Sequence, residues 1–169
     1  MNPETDPPLT YPEVGATRQG TMPAGYRHLD VTGEIPAPLS EAAAYLLTWE
    51  LHRDMGFRPD SAAVRAAEGA KVVLRLGPLT APCRVVWAAD GPREAGFAYG
   101  GLPGHPEKGE ALFLLEEAGA ERTRFTVRSF SRPGTVLTRV TAPASRLVQR
   151  RLTRRFVAVM RKRFTAGAG

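Results

Sequence analysis

The stretch ASRLVQRRLTRRFVAVMRKRF, residues 144–164, decides the fold of this chain. Its apolar residues recur every three or four positions, which is the period of a helix with one buried face; they are Val148, Leu152, Phe156, Val159 and Met160. Arginine and lysine fill the opposite arc. A helix of ~20 residues is ~30 Å long, enough to cross a small sheet. The pattern predicts a long C-terminal helix whose apolar stripe packs on the rest of the domain.

Segments of strand length precede that helix. The first is residues 26–35, and six more follow, at residues 62–67, 70–76, 83–89, 94–99, 111–117 and 123–131. Between them, Ser40 provides an N-cap for a helix that runs to about residue 55, before Gly56. One strand, a helix, six strands and a long helix indicate an α+β domain with an antiparallel sheet of about seven strands. We expect a single domain over residues 26–165, with residues 1–25 as an extended arm packed against it.

This order of elements resembles the helix-grip fold of START and Bet v 1 proteins, in which a curved sheet wraps a C-terminal helix. Four motifs also resemble the signature of an uncharacterised family, domain of unknown function 1990; they are YPEVGAT at 11–17, Trp49-x-x-His52-x-x-x-Gly56, FSRP at 130–133 and GFAYGGLPGHPEKGE at 96–110. The family resemblance covers nearly the whole chain and implies no activity, cofactor or catalytic residue. The helix-grip resemblance implies a ligand cavity between sheet and helix.

The segment 96–110 predicts a long ordered loop, because it far exceeds the two to five residues of an ordinary hairpin. Its His105, Glu107 and Glu110 supply one imidazole and two carboxylates, which suit a general acid and base at the cavity mouth. Metal binding is an alternative with less support, since known zinc motifs place two histidines on one helical face. A third interpretation is that these side chains only hold the loop in shape. We expect no metal and no cofactor.

Aromatic and apolar residues at predicted inner positions are candidates for lining the cavity. Trp49 and His52 lie three residues apart on the predicted first helix and therefore share a face, although a histidine beside aromatic residues also suits a core position. The candidates are Trp49, His52, Phe97, Tyr99, Phe113, Phe125, Phe156 and Met160. We expect this set to bind a small apolar or amphipathic molecule.

Charge is divided unevenly along the chain. Residues 1–121 hold 17 acidic and 10 basic residues, whereas the remainder holds 13 basic residues and no acidic one. Such a bias can serve nucleic acid or an anionic surface, but few aromatic residues lie among the arginines for base stacking. A GC-rich genome would also enrich arginine, which outnumbers lysine 20 to 3. We expect a solvated helix face partly paired with the acidic half, and nucleic-acid binding is disfavoured.

Several classes of protein have no support in the sequence. It contains no Gly-x-x-x-x-Gly-Lys-[Ser/Thr], no Gly-x-Ser-x-Gly and no Cys-x-x-Cys, and no apolar run of ~18 residues. Cys83 is the only cysteine, and the first eight residues do not resemble a signal peptide. The sequence therefore predicts a cytoplasmic START-like binding module. An enzyme that uses the same cavity, and a protein that binds anions through its basic helix, are the alternatives.

Overall fold

The computed structural model describes residues 6–134 and 142–166, with the side chains of the last helix described from residue 146. Residues 1–5 of the predicted arm and 135–141 of the predicted domain lie outside this range. The described strands are β1 Arg27–Ile35, β2 Arg58–Asp60, β3 Lys71–Leu76, β4 Leu79–Asp90, β5 Glu94–Gly101, β6 Glu107–Glu117 and β7 Thr123–Pro133. The described helices are α1 Ala16–Gln19, α2 Leu39–Leu47, α3 Glu50–Asp54 and α4 Ala142–Thr165.

The seven strands form one antiparallel sheet in the order β1-β7-β6-β5-β4-β3-β2. Helix α4 packs on β1 and β7, while α2 packs on β5 and β6. Alternate residues of each strand face these helices, as the period of a strand requires. The predicted antiparallel sheet around a long C-terminal helix is confirmed.

Helix α4 turns its apolar stripe inward along most of its length. Phe156 and Met160 are 5% and 0% exposed, whereas Val148, near the start of the stripe, is 62% exposed. The helix comes close to β1 because Gly33 has no side chain: a β-carbon there would lie 2.4 Å from a methyl carbon of Val157. Among the described side chains of the stripe, burial is therefore high from the middle of α4 onward and low near its start.

The predicted single helix from residue 40 to 55 is wrong in two respects. It begins at Leu39, after Pro38, so Ser40 is not its N-cap, and it is broken in two at Trp49. This residue has φ 68°, in the left-handed region that bulky side chains rarely adopt, at a cost of order 1–3 kcal/mol. Its indole is 1% exposed and lies 4.9 Å from the ring of Phe97. Packing of that indole offsets the backbone strain, and α3 starts afresh with His52 in the interior.

The predicted strand at residues 62–67 is wrong. A strand forms earlier, at β2, where Pro59 is paired with Leu74 and the carboxylate of Asp60 lies 2.8 Å from the guanidinium of Arg75 on β3. Residues 62–67 include four alanines, which have little preference for a strand. They form a connection instead, tied down where the amide of Ala66 donates to the carbonyl of Leu47.

The predicted long loop at 96–110 is also wrong, because strand β5 runs to Gly101 and β6 begins at Glu107. Its glycines serve close contacts inside the sheet rather than a loop. Gly96 has φ 144°, and a β-carbon there would lie 2.1 Å from the carbonyl oxygen of Phe113. Gly109 has φ 149°, and its β-carbon would lie 2.0 Å from the carbonyl oxygen of Phe130. Only glycine fits these positions.

The arm covers the outer face of the sheet, opposite α4. Tyr11 is 4% exposed and meets Phe130 of β7 edge to face, with ring centroids 5.5 Å apart. Val14 is 46% exposed. Farther along the arm, the guanidinium of Arg18 lies 5.0 Å from the ring centre of Trp87. In this region the sheet is therefore buried on both faces.

Candidate functional site

A cavity of about 450 Å³ lies between the inner face of the sheet and α4. Pockets that hold small molecules usually enclose roughly 300–1,000 Å³, so its size suits such a ligand. Its walls come from β1, from β3 to β7, from the β5–β6 connection and from the first half of α4. The lining residues are Leu29, Phe57, Leu74, Leu79, Ala81, Tyr99, Gly101, His105, Pro106, Glu107, Gly109, Glu110, Ala111, Phe113, Val127, Ser129, Phe130, Ser131, Val148, Gln149, Leu152, Thr153 and Phe156.

Most of this wall is apolar, and its aromatic rings pack against one another. The rings of Phe113 and Phe156 meet edge to face with centroids 5.0 Å apart, and Phe57 stacks on Phe156 at 6.2 Å. Leu79 and Val148 line the cavity and are also 41% and 62% exposed. These two residues mark the place where the cavity meets the surface, and its entrance is therefore apolar.

One end of the cavity is polar and centres on Glu107. Its carboxylate lies 3.2 Å from Nη2 of Arg27, and the two side chains are only 13% and 18% exposed. Burial raises the pKa of Glu107, although Arg27 and hydrogen bonds with Gln149 and Ser131 act in the opposite direction. Glu107 therefore keeps a proton at a higher pH than a free glutamate does, and as a carboxylate it accepts from Arg27.

His105 is held beside Glu107 by the backbone. Its Nδ1 accepts a hydrogen bond from the amide of Glu107, with the two nitrogens 3.0 Å apart. An amide can only donate, so the ring proton lies on Nε2. Burial lowers the pKa of His105, which favours the neutral ring. His105 can thus offer one N–H to a molecule in the cavity.

The carboxylate of Glu110 lies on the arm side of the sheet. It accepts hydrogen bonds from the hydroxyl of Tyr11 at 2.8 Å, from the amide of Gly15 at 2.7 Å, and from both the amide and the hydroxyl of Thr17. The side chain is 2% exposed. The structure therefore brings His105 and Glu107 together but leaves the Glu110 carboxylate apart from them, where it fixes the arm.

His52 lies in an aromatic cluster behind the cavity wall and is 0% exposed. Its ring centroid is 5.0 Å from that of Phe113 and 5.2 Å from that of Phe156. Burial lowers its pKa to about 3, so the ring is neutral at physiological pH. Its Nε2 lies 3.4 Å from the hydroxyl oxygen of Tyr99.

The eight predicted ligand-binding residues divide into two groups. Tyr99, Phe113 and Phe156 line the cavity. The others pack behind them in the core, each at most 1% exposed, and are Trp49, His52, Phe97, Phe125 and Met160.

Sequence reasoning missed Ser129 and Ser131, which line the cavity, and Arg27, which pairs with Glu107 beside it. Arg27 lies two residues before Leu29, in the inward-facing phase of β1, and Ser129 and Ser131 continue the inward phase of Phe125 on β7. A polar residue in the apolar phase of a strand is the signal that would have found them.

Helix α4 contains eight arginine and lysine residues and no acidic one. Among the described residues, none of them lies within salt-bridge distance of a carboxylate, so the partial pairing expected from the sequence is not seen there. Arg161 instead donates to the carbonyl of Glu34. Within the described range, no group of three His, Cys, Asp or Glu residues could hold a metal ion, and no helix is long and apolar enough to cross a membrane.

Comparison with known proteins agrees with this architecture. The family described as Domain of unknown function (DUF1990) matches residues 10–159. The chain belongs to this family. A DUF1990 relative described as a UPF0548 protein, from Deinococcus radiodurans, is 30% identical over 168 residues, which cover 89% of this chain and 85% of the relative. The predicted family is confirmed, and the description of the family names no activity.

Solved structures share the fold of this DUF1990 protein at low sequence identity. A hypothetical protein from Helicobacter pylori has a TM-score of 0.68 at 9% identity and covers 97% of this chain and 99% of its own. A norcoclaurine synthase from Thalictrum, a point mutant solved with a transition-state analogue, has a TM-score of 0.50 at 8% identity over 79% of this chain and 95% of its own. The predicted Bet v 1-like helix-grip fold is confirmed.

Proposed function

We propose that this DUF1990 protein binds a small amphipathic molecule in the cavity between the sheet and α4. The observation that carries the proposal is a space of about 450 Å³ with apolar walls and one polar end. The norcoclaurine synthase of the same fold was solved with a transition-state analogue, which supports a small-molecule ligand. Cys83 is the only cysteine and is buried, which suits the reducing cytoplasm that we predict as its location.

The polar end is expected to contribute to affinity. An apolar ligand surface of roughly 250 Å² gains about 6 kcal/mol on burial at ~25 cal/mol per Å². Micromolar binding needs about 8 kcal/mol after the cost of association has been met. Hydrogen bonds from His105 and Glu107 supply part of the difference, and an amphipathic ligand therefore fits the cavity better than a hydrocarbon.

Filling the cavity from β7 tests the proposal. Ser129 lines the cavity and makes no side-chain hydrogen bond within the described residues, so Ser129→Phe adds a ring to the space without removing such a bond. Arg124→Phe adds the same ring on the exposed face of the same strand and is the matched control. The reporter is N-phenyl-1-naphthylamine, whose fluorescence rises in apolar surroundings.

The wild-type protein and the Arg124→Phe variant should bind the reporter equally, and Ser129→Phe at least ~10-fold more weakly, since overfilling a packed site costs about 1–3 kcal/mol. Equal binding by all three folded proteins would show that the reporter does not use this cavity, which would end the proposal. If Ser129→Phe weakens binding as expected, native mass spectrometry of protein purified from its own host would identify the natural ligand by its mass.

An enzyme is the second candidate, because His105 and Glu107 both line the cavity. Each can exchange a proton with a bound molecule. Once a ligand is known, His105→Gln should keep binding but abolish turnover if the imidazole transfers protons. Unchanged turnover in that variant would leave the protein as a binding module.

A further inference from the structure

Two buried polar atoms behind the cavity have no hydrogen-bond partner within the described part of the chain: Nε1 of Trp49 and Nδ1 of His52. The hydrogen bond that His52 does make joins Nε2 to the hydroxyl of Tyr99. Tyr99 lines the cavity, and its hydroxyl makes no other hydrogen bond among the described residues. A tyrosine hydroxyl donates one hydrogen bond and can accept others, so this one has capacity left for a ligand.

The position of the single ring proton of His52 decides what the hydroxyl can do. A proton on Nδ1 would be a buried N–H without an acceptor, whereas a proton on Nε2 leaves only a bare lone pair at Nδ1. Buried N–H groups without a partner are rarer than under-satisfied acceptors. This difference favours the proton on Nε2, in which case His52 donates to the oxygen of Tyr99 and leaves the hydroxyl proton of Tyr99 free for another acceptor.

We propose that Tyr99 donates this proton to an uncharged carbonyl oxygen of the ligand, and that His52 is the positioning residue that orients the hydroxyl. The inference rests on the proposed function and names its ligand class. The carbonyl is uncharged because the described residues that line the cavity include neither lysine nor arginine, and Arg27, beside the polar end, is paired with Glu107. A carboxylate buried beside Tyr99 would lack a partner cation there, which is costly.

Two probes of the same shape isolate the carbonyl. 2-Acetylnaphthalene and 2-isopropenylnaphthalene differ only in C=O against C=CH2, and each can displace N-phenyl-1-naphthylamine from the protein. Tyr99→Phe should weaken the ketone about fivefold, the equivalent of one hydrogen bond, and leave the hydrocarbon unchanged. Tyr45→Phe removes a hydroxyl that donates to Asp54 outside the cavity and should change neither probe.

The role of His52 has its own readout. His52→Phe should lower the preference for the ketone towards that of Tyr99→Phe, with hydrocarbon affinity unchanged. His52→Gln returns an N–H donor and should restore part of the preference. If His52 had only a structural role, its replacement would change the affinities for the ketone and the hydrocarbon by the same factor.

The outcomes separate the two proposals. If the hydrocarbon displaces the reporter and Tyr99→Phe affects both probes equally, or neither, the carbonyl contact is refuted while the binding module stands. If the reporter fails to bind wild-type protein, the binding module is refuted and this inference with it. If the His52 variants leave the ketone preference unchanged, Tyr99 acts without a positioning residue and that part of the proposal falls.

Discussion

Replacing Glu110 should loosen the arm from the sheet by an amount that its hydrogen bonds determine. Its Oε2 accepts from the hydroxyl of Tyr11 and the amide of Gly15, and its Oε1 accepts from the hydroxyl and the amide of Thr17. Glu110→Gln places an NH2 group at one of these oxygens. A hydroxyl partner can turn and accept, but a backbone amide cannot, so one buried amide then faces a donor.

A buried donor without an acceptor costs about 1–3 kcal/mol. Glu110→Gln should therefore lower the free energy of unfolding by about 2 kcal/mol. Glu110→Ala leaves both amides without an acceptor and should lower it by about 4 kcal/mol. At 2–4 °C per kcal/mol for a chain of this size, the expected falls in Tm are about 6 °C and about 12 °C. Tyr11→Phe removes a donor but leaves no other donor without an acceptor, and it should lower the free energy of unfolding by about 1 kcal/mol.

Urea denaturation followed by circular dichroism measures these values, and trypsin reports the position of the arm. Arg18 lies within the arm, and cleavage after it should be faster in Glu110→Ala than in wild type. Glu117→Gln, an exposed carboxylate on the same strand, is the control. If Glu110→Gln and Glu117→Gln unfold at the same urea concentration, the buried carboxylate does not hold the arm and the reasoning is refuted.

Three further changes test other parts of the structure. Burial lowers the pKa of His52 to about 3. Below pH 6.5 its imidazole is therefore protonated in the unfolded chain but stays neutral in the folded chain. Stability should fall by about 2 kcal/mol from pH 7 to pH 5 on this account, and His52→Phe should lose that part of the slope in urea melts. Gly100→Ala places a methyl group 2.1 Å from the hydroxyl of Tyr11 and should cost about 1–3 kcal/mol; an unaltered tryptic pattern would contradict this. Burial also raises the pKa of the Cys83 thiol, so Ellman's reagent should label it only as the protein unfolds, and rapid labelling of native protein would count against the described core.

The long helix was predictable because a single physical rule governs it. A helix on a sheet buries one stripe, so Phe156 and Met160 appear in the sequence at helical spacing and lie in the core. Val148 follows the same spacing but is largely exposed and lies at the cavity entrance. Periodicity indicates which face turns inward, but it does not indicate where the packing stops.

The glycine-rich segment misled sequence reasoning because glycine has two physical uses. Near a turn it supplies left-handed backbone, and inside a strand it makes room for a neighbouring chain. Gly96 and Gly109 have the second use, and their partners, Phe113 and Phe130, are distant in sequence. The same error grouped Glu110 with Glu107. The two lie three residues apart in β6, and residues at an odd spacing in a strand point to opposite faces.

The break at Trp49 had no local signal, because neither glycine nor proline marks it.

The arm also buries the outer face of the sheet, which the strand pattern did not indicate. Residues Leu112 and Phe113 are both buried, one on each face, so the alternation that separates an inner from an outer face is absent from this part of β6.

The two tryptophans of the chain lie on opposite faces of the sheet, and this gives two independent optical reporters. Trp49 is enclosed beside the aromatic cluster, while Trp87 lies beneath Arg18 of the arm. A protein that retains only Trp49 would change its emission when a molecule enters the cavity. One that retains only Trp87 would shift to longer wavelength when the arm lifts and water reaches the indole. Ligand entry and arm release could thus be followed separately in real time, without any added label.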